Sequence, residues 1–301
     1  MKKFLLRLLL FSIPVALFLI ATEFFLRSLP NTYKYKESWM QAHCQEVSTL
    51  LLGNSHGYFA LRPQFIGDSV FSLCNVSQRL EHDYFLLKRY TSMCPNIKRV
   101  VSVVDNSCLF DAPMEIEEPA RITYYQLYMG YDAYPVLSKY GFELSNTQYA
   151  IEKIKTLIRN GGISCDSLGW GSDYKSEKRN PDNFKQENVR QHLFINDEYT
   201  SRNNRYMDSI ASFCQRKNIE LLFIQTPVTS SYTKKADPRQ LLLVNSMIDS
   251  CSKVYGAHAI DFSCDSRFSD TDFFDTDHLT DLGAEKFSII IRGVLSPRSD
   301  N

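Results

Sequence analysis

Thr49-Leu50-Leu51-Leu52-Gly53-Asn54-Ser55-His56 is an apolar run that stops at a glycine and hands over to a polar triplet. A short continuous apolar run bounded by a turn signal predicts a strand buried on both faces. Gly53 allows backbone angles closed to other residues, so the chain can leave the sheet sharply there. Ser55 then stands just past the carboxyl end of the strand, where parallel sheets bind their ligands.

Outward from this stretch, strand-like and helix-like segments alternate from about residue 45. Val47 to Leu52, Val70 to Leu73, Arg99 to Val104, Ile219 to Gln225 and His258 to Phe262 read as strands. Leu80 to Met93, Asn203 to Arg216, Pro238 to Ser252 and Asp281 to Arg292 read as helices. Alternation of this kind predicts an α/β fold, with a central parallel sheet between two helical layers, flavodoxin-like, over residues 45–298. Ser55, Asn75, Asn106, Gln225-Thr226-Pro227 and the 275–278 stretch all follow strands, so all are expected at one sheet edge.

Residues 111–201 break the alternation. They hold the tyrosine-rich stretch 124–134, a helix-like Gln148 to Arg159, Gly169-Trp170-Gly171, and a charged run from Lys175 to Gln186. This is expected to be an insertion covering the active-site edge. Its aromatics, Trp170 among them, either face a sugar or lipid or pack the insertion onto the domain.

Far from Ser55 lies Asp275-Thr276-Asp277-His278-Leu279, just before the closing helix. A serine hydroxyl is a weak nucleophile at neutral pH and needs a base, usually histidine, held by a carboxylate. The two short stretches together supply all three groups. Taken singly, each has a plainer reading: Ser55 as a helix cap, Asp275 or Asp277 as a turn or cap residue.

The pair resembles the SGNH (GDSL-like) hydrolase family. There the first block carries the nucleophile in Gly-Asp-Ser or a variant, and the last carries Asp-x-x-His. By position, the resemblance implies Ser55 as nucleophile, His278 as base and Asp275 as the orienting carboxylate. Asn31-Thr32-Tyr33-Lys34-Tyr35-Lys36, Leu50 to Pro63, Asn75-Val76-Ser77-Gln78 and Gly169-Trp170-Gly171 are similar to a membrane-anchored subgroup. Its members resemble DltD-like and polysaccharide O-acetylation proteins, over most of residues 30 to 295. This implies an extracytoplasmic acyl-ester hydrolase or O-acyltransferase. Its expected partners are an acylated cell-envelope glycan or acyl donor, and a multi-spanning membrane O-acyltransferase. A non-catalytic scaffold on the same fold is the rival reading.

The family's middle blocks supply a Gly and an Asn to the oxyanion hole. Here Asn75-Val76-Ser77-Gln78 has no Gly at that place, and Asp105-Asn106 replaces Gly-x-Asn-Asp. The Ser55 N–H, the Ser77 N–H, the Asn75 side chain and Asn106 are the oxyanion candidates, with strand-end turns as the plainer reading of both Asn residues. His56 is a candidate substrate contact, while His43, His82, His192 and His258 read as surface or core residues.

The chain has 301 residues, 44% of them apolar, with 34 basic and 34 acidic side chains. That is enough for one large domain and shows no disorder signature. The charge balance argues against a nucleic-acid surface. The N-terminus carries Lys2, Lys3 and Arg7 around an apolar stretch, and residues 4–26 could span a membrane, with Glu23 near one end. An uncleaved anchor is preferred to a cleaved signal peptide, because no small-x-small site follows. The basic N-terminal flank places that end in the cytoplasm and the rest outside. Eight cysteines are scattered without Cys-x-x-Cys, so no metal site or cofactor is expected, and any disulfide pairing stays open.

Overall fold

The structure, a computed structural model, describes residues 1–184 and 196–296, less the side chains of Asn106, Pro181 and Asn183. His192, residues 185–195 of the expected insertion and the last two residues of the expected domain lie outside the described residues. In chain order the helices and strands are α1 (Lys2–Ser28), α2 (Thr32–His43), β1 (Thr49–Leu52), α3 (Ser55–Ala60), α4 (Pro63–Ile66) and β2 (Val70–Ser72). There follow α5 (Leu80–Met93), β3 (Arg99–Val103), α6 (Asn106–Phe110), α7 (Met114–Glu117), α8 (Pro119–Tyr128) and α9 (Thr147–Asn160). The last are α10 (Asp197–Lys217), β4 (Glu220–Gln225), α11 (Ser230–Lys235), α12 (Pro238–Tyr255), β5 (His258–Asp261) and α13 (Asp281–Leu295).

The chain divides into two compact units, Met1–Ser38 with Glu118–Ser164, and Trp39–Glu117 with Cys165–Asn301. The second is the α/β unit. Its five strands are all parallel, in the order β2-β1-β3-β4-β5. The register pairs Leu50 with Val100, and Val100 with Leu221, so the central strands start level. β1 is buried at all four positions, as a strand covered on both faces must be. α3 and α4 pack with α13 on one face, and α10 packs with α5 and α12 on the other. On the α13 face, Leu51, Val101, Val103, Leu222 and Ile224 meet Phe287 and Ile291 in one apolar cluster. Right-handed crossovers require this split, since the chain runs outward from β1 to β2 and then returns past it to β3. The reversal puts the topological switch point between β1 and β3.

The first unit gathers α1, most of α2, α8 and α9. α1 is 27 residues, exposed and apolar for most of its length, and long enough to cross a membrane. Leu26 and Leu29 at its end pack with Ala150, Leu144 and Leu157. Glu23 accepts the backbone N–H groups of Glu143 and Leu144, both at 3.0 Å.

The segment expected as one insertion over 111–201 therefore has a divided membership. Residues 118–164 cluster with α1, while 111–117 and 165 onward belong to the α/β unit. The ties are specific: Asp111 and Glu117 both pair with Arg79 of the α/β unit. Gly171 N–H donates to Tyr58 O at 2.8 Å, in a short antiparallel bridge region between Cys165 and Gly171. Each of the eight cysteines is a free thiol.

Candidate active site

The exit from β1 is built by Gly53, whose φ is +142° and whose missing Cβ would stand 2.8 Å from Val103 Cβ on the neighbouring strand. The chain passes at once into α3. Asn54 caps it, its side-chain oxygen accepting His56 N–H at 3.0 Å. Ser55 is the first residue of that helix.

The partner loop is held by its own backbone. Asp275 Oδ1 accepts the N–H groups of Asp277 (3.2 Å) and His278 (2.8 Å). Phe274 N–H donates to His278 O at 2.8 Å, and Thr280 caps α13 by accepting Gly283 N–H at 3.1 Å. Residues 273–279 are thus closed into a tight turn with His278 fixed at its end.

Across the sheet edge the two pieces meet. His278 Nε2 lies 2.9 Å from Ser55 Oγ. His278 Nδ1 lies 3.0 and 3.1 Å from the two oxygens of Asp275. A carboxylate on Nδ1 selects the tautomer with the proton there, which leaves the Nε2 lone pair to accept the serine hydroxyl. Asp275 is buried and His278 half-buried, and Ser55 keeps partial access.

Asp277 turns away to a second histidine. Its Oδ2 is 3.2 Å from His56 Nε2, whereas its Oδ1 is 3.5 Å from His278 Nδ1. On its other side His56 Nδ1 lies 2.5 Å from Asp105 Oδ2, a close ion-pair contact rather than an aligned hydrogen bond. Asp105 caps α6 through Cys108 N–H (2.9 Å) and accepts Ser107 Oγ (2.6 Å) and Asn54 Nδ2 (3.0 Å). Burial disfavours charge on His56, but Asp105 and then Asp277 outweigh it and hold its pKa well above the ordinary value. Against its own burial, Asp105 is held far below the carboxylate range, mainly by His56. Asp277 is likewise lowered against burial, by His278 and then His56. His56 is therefore a charged strut joining the ends of β1 and β3 to the loop that carries His278. The sequence pointed to a substrate contact there. His56 does border the cavity, but both its nitrogens face carboxylates.

The cavity over Ser55 holds about 350 Å³. Ser77 lines it in a left-handed backbone conformation, φ +59°, uncommon for a residue with a side chain. Asn75 does not line it: its amide is turned inward, to Leu73 O at 3.3 Å and Gln78 Oε1 at 3.1 Å. Asn106 opens α6, and its side chain lies outside the described residues. Trp170 is a correction to the expected substrate wall. It is 1% exposed, its Nε1–H donates to Phe59 O at 2.8 Å, and the Arg62 guanidinium covers its ring at 4.4 Å. Its neighbour Gly171 approaches the Tyr58 ring so closely that a Cβ would stand 2.4 Å from Tyr58 Cε1.

The aromatic side of the cavity is Tyr174 instead. Its ring stacks between Phe59 (3.8 Å, 5°) and Phe274 (4.2 Å, 11°). Tyr174 and Phe59 both stand edge-on to the His278 ring, each at 5.5 Å. Burial and then the carboxylates of Asp275 and Asp277 raise its pKa, so the phenol is neutral. Its carbonyl accepts Asp281 N–H at 2.9 Å, tying this strip to α13. Sequence reading missed Tyr174, which stands in a polar stretch with no periodicity. It named Asp105 only as part of the Asp105-Asn106 pair and gave it no role, though its capping position was the available signal.

His56, Asp277 and His278 are the group of potential metal ligands among the described residues, with ligand atoms within 4.8 Å of one another. Each of those side chains is already engaged, with Asp105, with His56, or with Ser55 and Asp275. No protein-family model and no curated protein matches the chain.

Proposed function

We propose that the protein is an SGNH-type serine acyl-ester hydrolase or O-acyltransferase that acts on a cell-envelope polysaccharide outside the membrane anchored by α1. The supporting observation is the Ser55–His278–Asp275 line, with 2.9 Å and 3.0 Å contacts in the order the chemistry needs. Ser55 Oγ attacks the ester carbonyl carbon as His278 Nε2 takes its proton. Asp275 stabilises the imidazolium, and the carbonyl oxygen becomes an oxyanion. Collapse expels the alcohol, which takes the proton back from Nε2, and leaves acyl-Ser55. Water or a sugar hydroxyl, deprotonated by the same imidazole, then releases the acyl group and restores Ser55. We assign the oxyanion donors to the Ser55 N–H, at the start of α3, and to the Ser77 turn. One such donor contributes about 3 kcal/mol to the transition state.

Whether water or a sugar accepts the acyl group depends on water exclusion during turnover. The glycan, and a multi-spanning membrane O-acyltransferase as acyl source, follow from the family resemblance of the sequence motifs. One observation favours the rival scaffold reading: the Asn75 amide is spent within its own turn rather than aimed at the cavity. Hydrolysis of an aryl acetate separates the two. Ser55→Ala and His278→Ala should each lower turnover at least about a thousandfold. Activity retained in Ser55→Ala contradicts the serine mechanism, and no activity in the parent chain favours the scaffold.

A further inference from the structure

We propose that the Pro135–Leu144 loop and one face of α9 rest in the headgroup region of the bilayer that α1 crosses, forming a lipid-contacting platform beside the anchor. The proposal depends on α1 being a membrane span and is independent of the chemistry at Ser55.

Depth is the first argument. A hydrocarbon core of about 30 Å takes about 20 helical residues, so a span begun at Phe4 ends near Glu23. The loop and α9 are tied to that exit. Glu23 accepts the N–H groups of Glu143 and Leu144 at 3.0 Å, and Arg27 donates to Gly141 O at 2.6 Å. Lys153 Nζ, from α9, donates to Leu26 O at 2.8 Å. An acidic side chain so close to hydrocarbon needs partners: Arg27 of α1 supplies the opposite charge at 2.6 Å, and the loop supplies the two N–H groups.

The surface presented there is apolar. In the loop, Val136 is 77% exposed, Leu137 86% and Phe142 38%. In α9, Ala150 and Leu157 pack with Leu26 and Leu29 along one stripe. Ile151, Ile154 and Ile158, spaced to share a face, stand exposed beside it. Glu152, Lys155 and Arg159 occupy the next face round, an order suited to an interface helix.

The third argument is tyrosine. Tyr134, half-buried, stands at the surface of this loop on two buried rings, Tyr131 and Tyr140. Tyr134 lies 4.5 Å from Tyr140 and 6.3 Å from Tyr131, and Lys139 Nζ sits 5.0 Å over the Tyr140 ring. Tyrosine rings with lysines beside them concentrate at the headgroup level of membranes. Anchor, apolar loop and the Tyr134–Lys139 corner together favour lipid over a protein partner.

The test uses the full chain in phosphatidylcholine vesicles whose acyl chains are brominated near the headgroup end. Leu137→Trp and Ile158→Trp each add one indole on an exposed position, and the parent supplies the background of Trp39 and Trp170. Each added indole should emit blue-shifted and lose intensity in brominated vesicles beyond the loss of the parent. Added emission that stays red and unquenched overturns the platform and leaves the face to a protein partner. Carbonate extraction of the same vesicles reports on α1 separately. Release of the chain overturns the span and the platform with it, whereas retention with unquenched indoles overturns the platform alone.

Discussion

Replacing Asp275 by asparagine keeps the side chain's shape and removes the charge facing His278. Oδ1 of Asp275 already accepts two backbone N–H groups at 3.2 and 2.8 Å, so an asparagine oxygen stays with them. Its NH2 then faces Nδ1, 3.1 Å away in the parent, and donates to it. The imidazole proton moves to Nε2, and the atom 2.9 Å from Ser55 Oγ can no longer accept. Loss of the correct tautomer costs on the order of 10⁴ in kcat, about 5 kcal/mol. Asp277→Asn is different. Asp277 stands 3.5 Å from Nδ1 and gives its other oxygen to His56, so the tautomer is untouched. It removes one neighbouring charge, for a loss of roughly tenfold. The assay is kcat/KM on an aryl acetate for both variants, with circular dichroism to confirm folding. Equal losses, or a larger one for Asp277→Asn, would refute the geometry assigned to the loop.

Three further outcomes follow from the packing around the site. His56 has a raised pKa, so its contribution to stability is complete below about 6.5, the ordinary histidine value, and is lost as pH rises through the folded value; urea midpoints of the parent should fall in alkali while those of His56→Gln stay level, and matching slopes would contradict the charged strut. Asp83 is pushed up to about 7 by burial, against hydrogen bonds from Gln78 and the Gly53 N–H. Its ionisation therefore costs stability progressively between pH 4 and 7, so Asp83→Asn should gain on the parent by on the order of 1 kcal/mol per pH unit in that window, and a constant difference would show the carboxyl already ionised. Gly53→Ala should cost on the order of 2–3 kcal/mol, read from thermal melts, because φ +142° is closed to alanine and its Cβ meets Val103; an unchanged melting temperature would mean that the β1 exit can relax.

The sheet was legible because strands covered on both faces must be continuously apolar, and Leu50 to Leu52 and Val100 to Val103 carry nothing else but Ser102. Leu80–Met93 matched its helical reading end to end, and Asp197–Lys217 began six residues earlier than its apolar spacing suggested. α3 and α6 escaped detection because six and five residues are too few for a period. Their caps, Asn54 and Asp105, look like turn residues in a sequence. That Ser55, His278 and Asp275 stand together was expected from their chemistry and from the family resemblance. The Asp105–His56–Asp277 line was not, because it joins three chain segments by folding alone. The two readings of Trp170 could not be separated for a related reason: a tryptophan between glycines has the same letters on a surface as in a core. The attachment of 118–164 to α1 joins Leu26 and Leu29 to Ala150 and Leu157, and the Glu23 and Lys153 side chains to distant backbone groups, so no local pattern announces it.

The most direct measurement is covalent. A fluorophosphonate probe reacts with a serine only when a base has activated it, and peptide mapping by mass spectrometry names the residue. Labelling should fall on Ser55 and vanish in His278→Ala, in which the hydroxyl remains but its base, 2.9 Å away in the parent, is gone. Label on another serine, or on none in the folded parent chain, would contradict a nucleophilic Ser55.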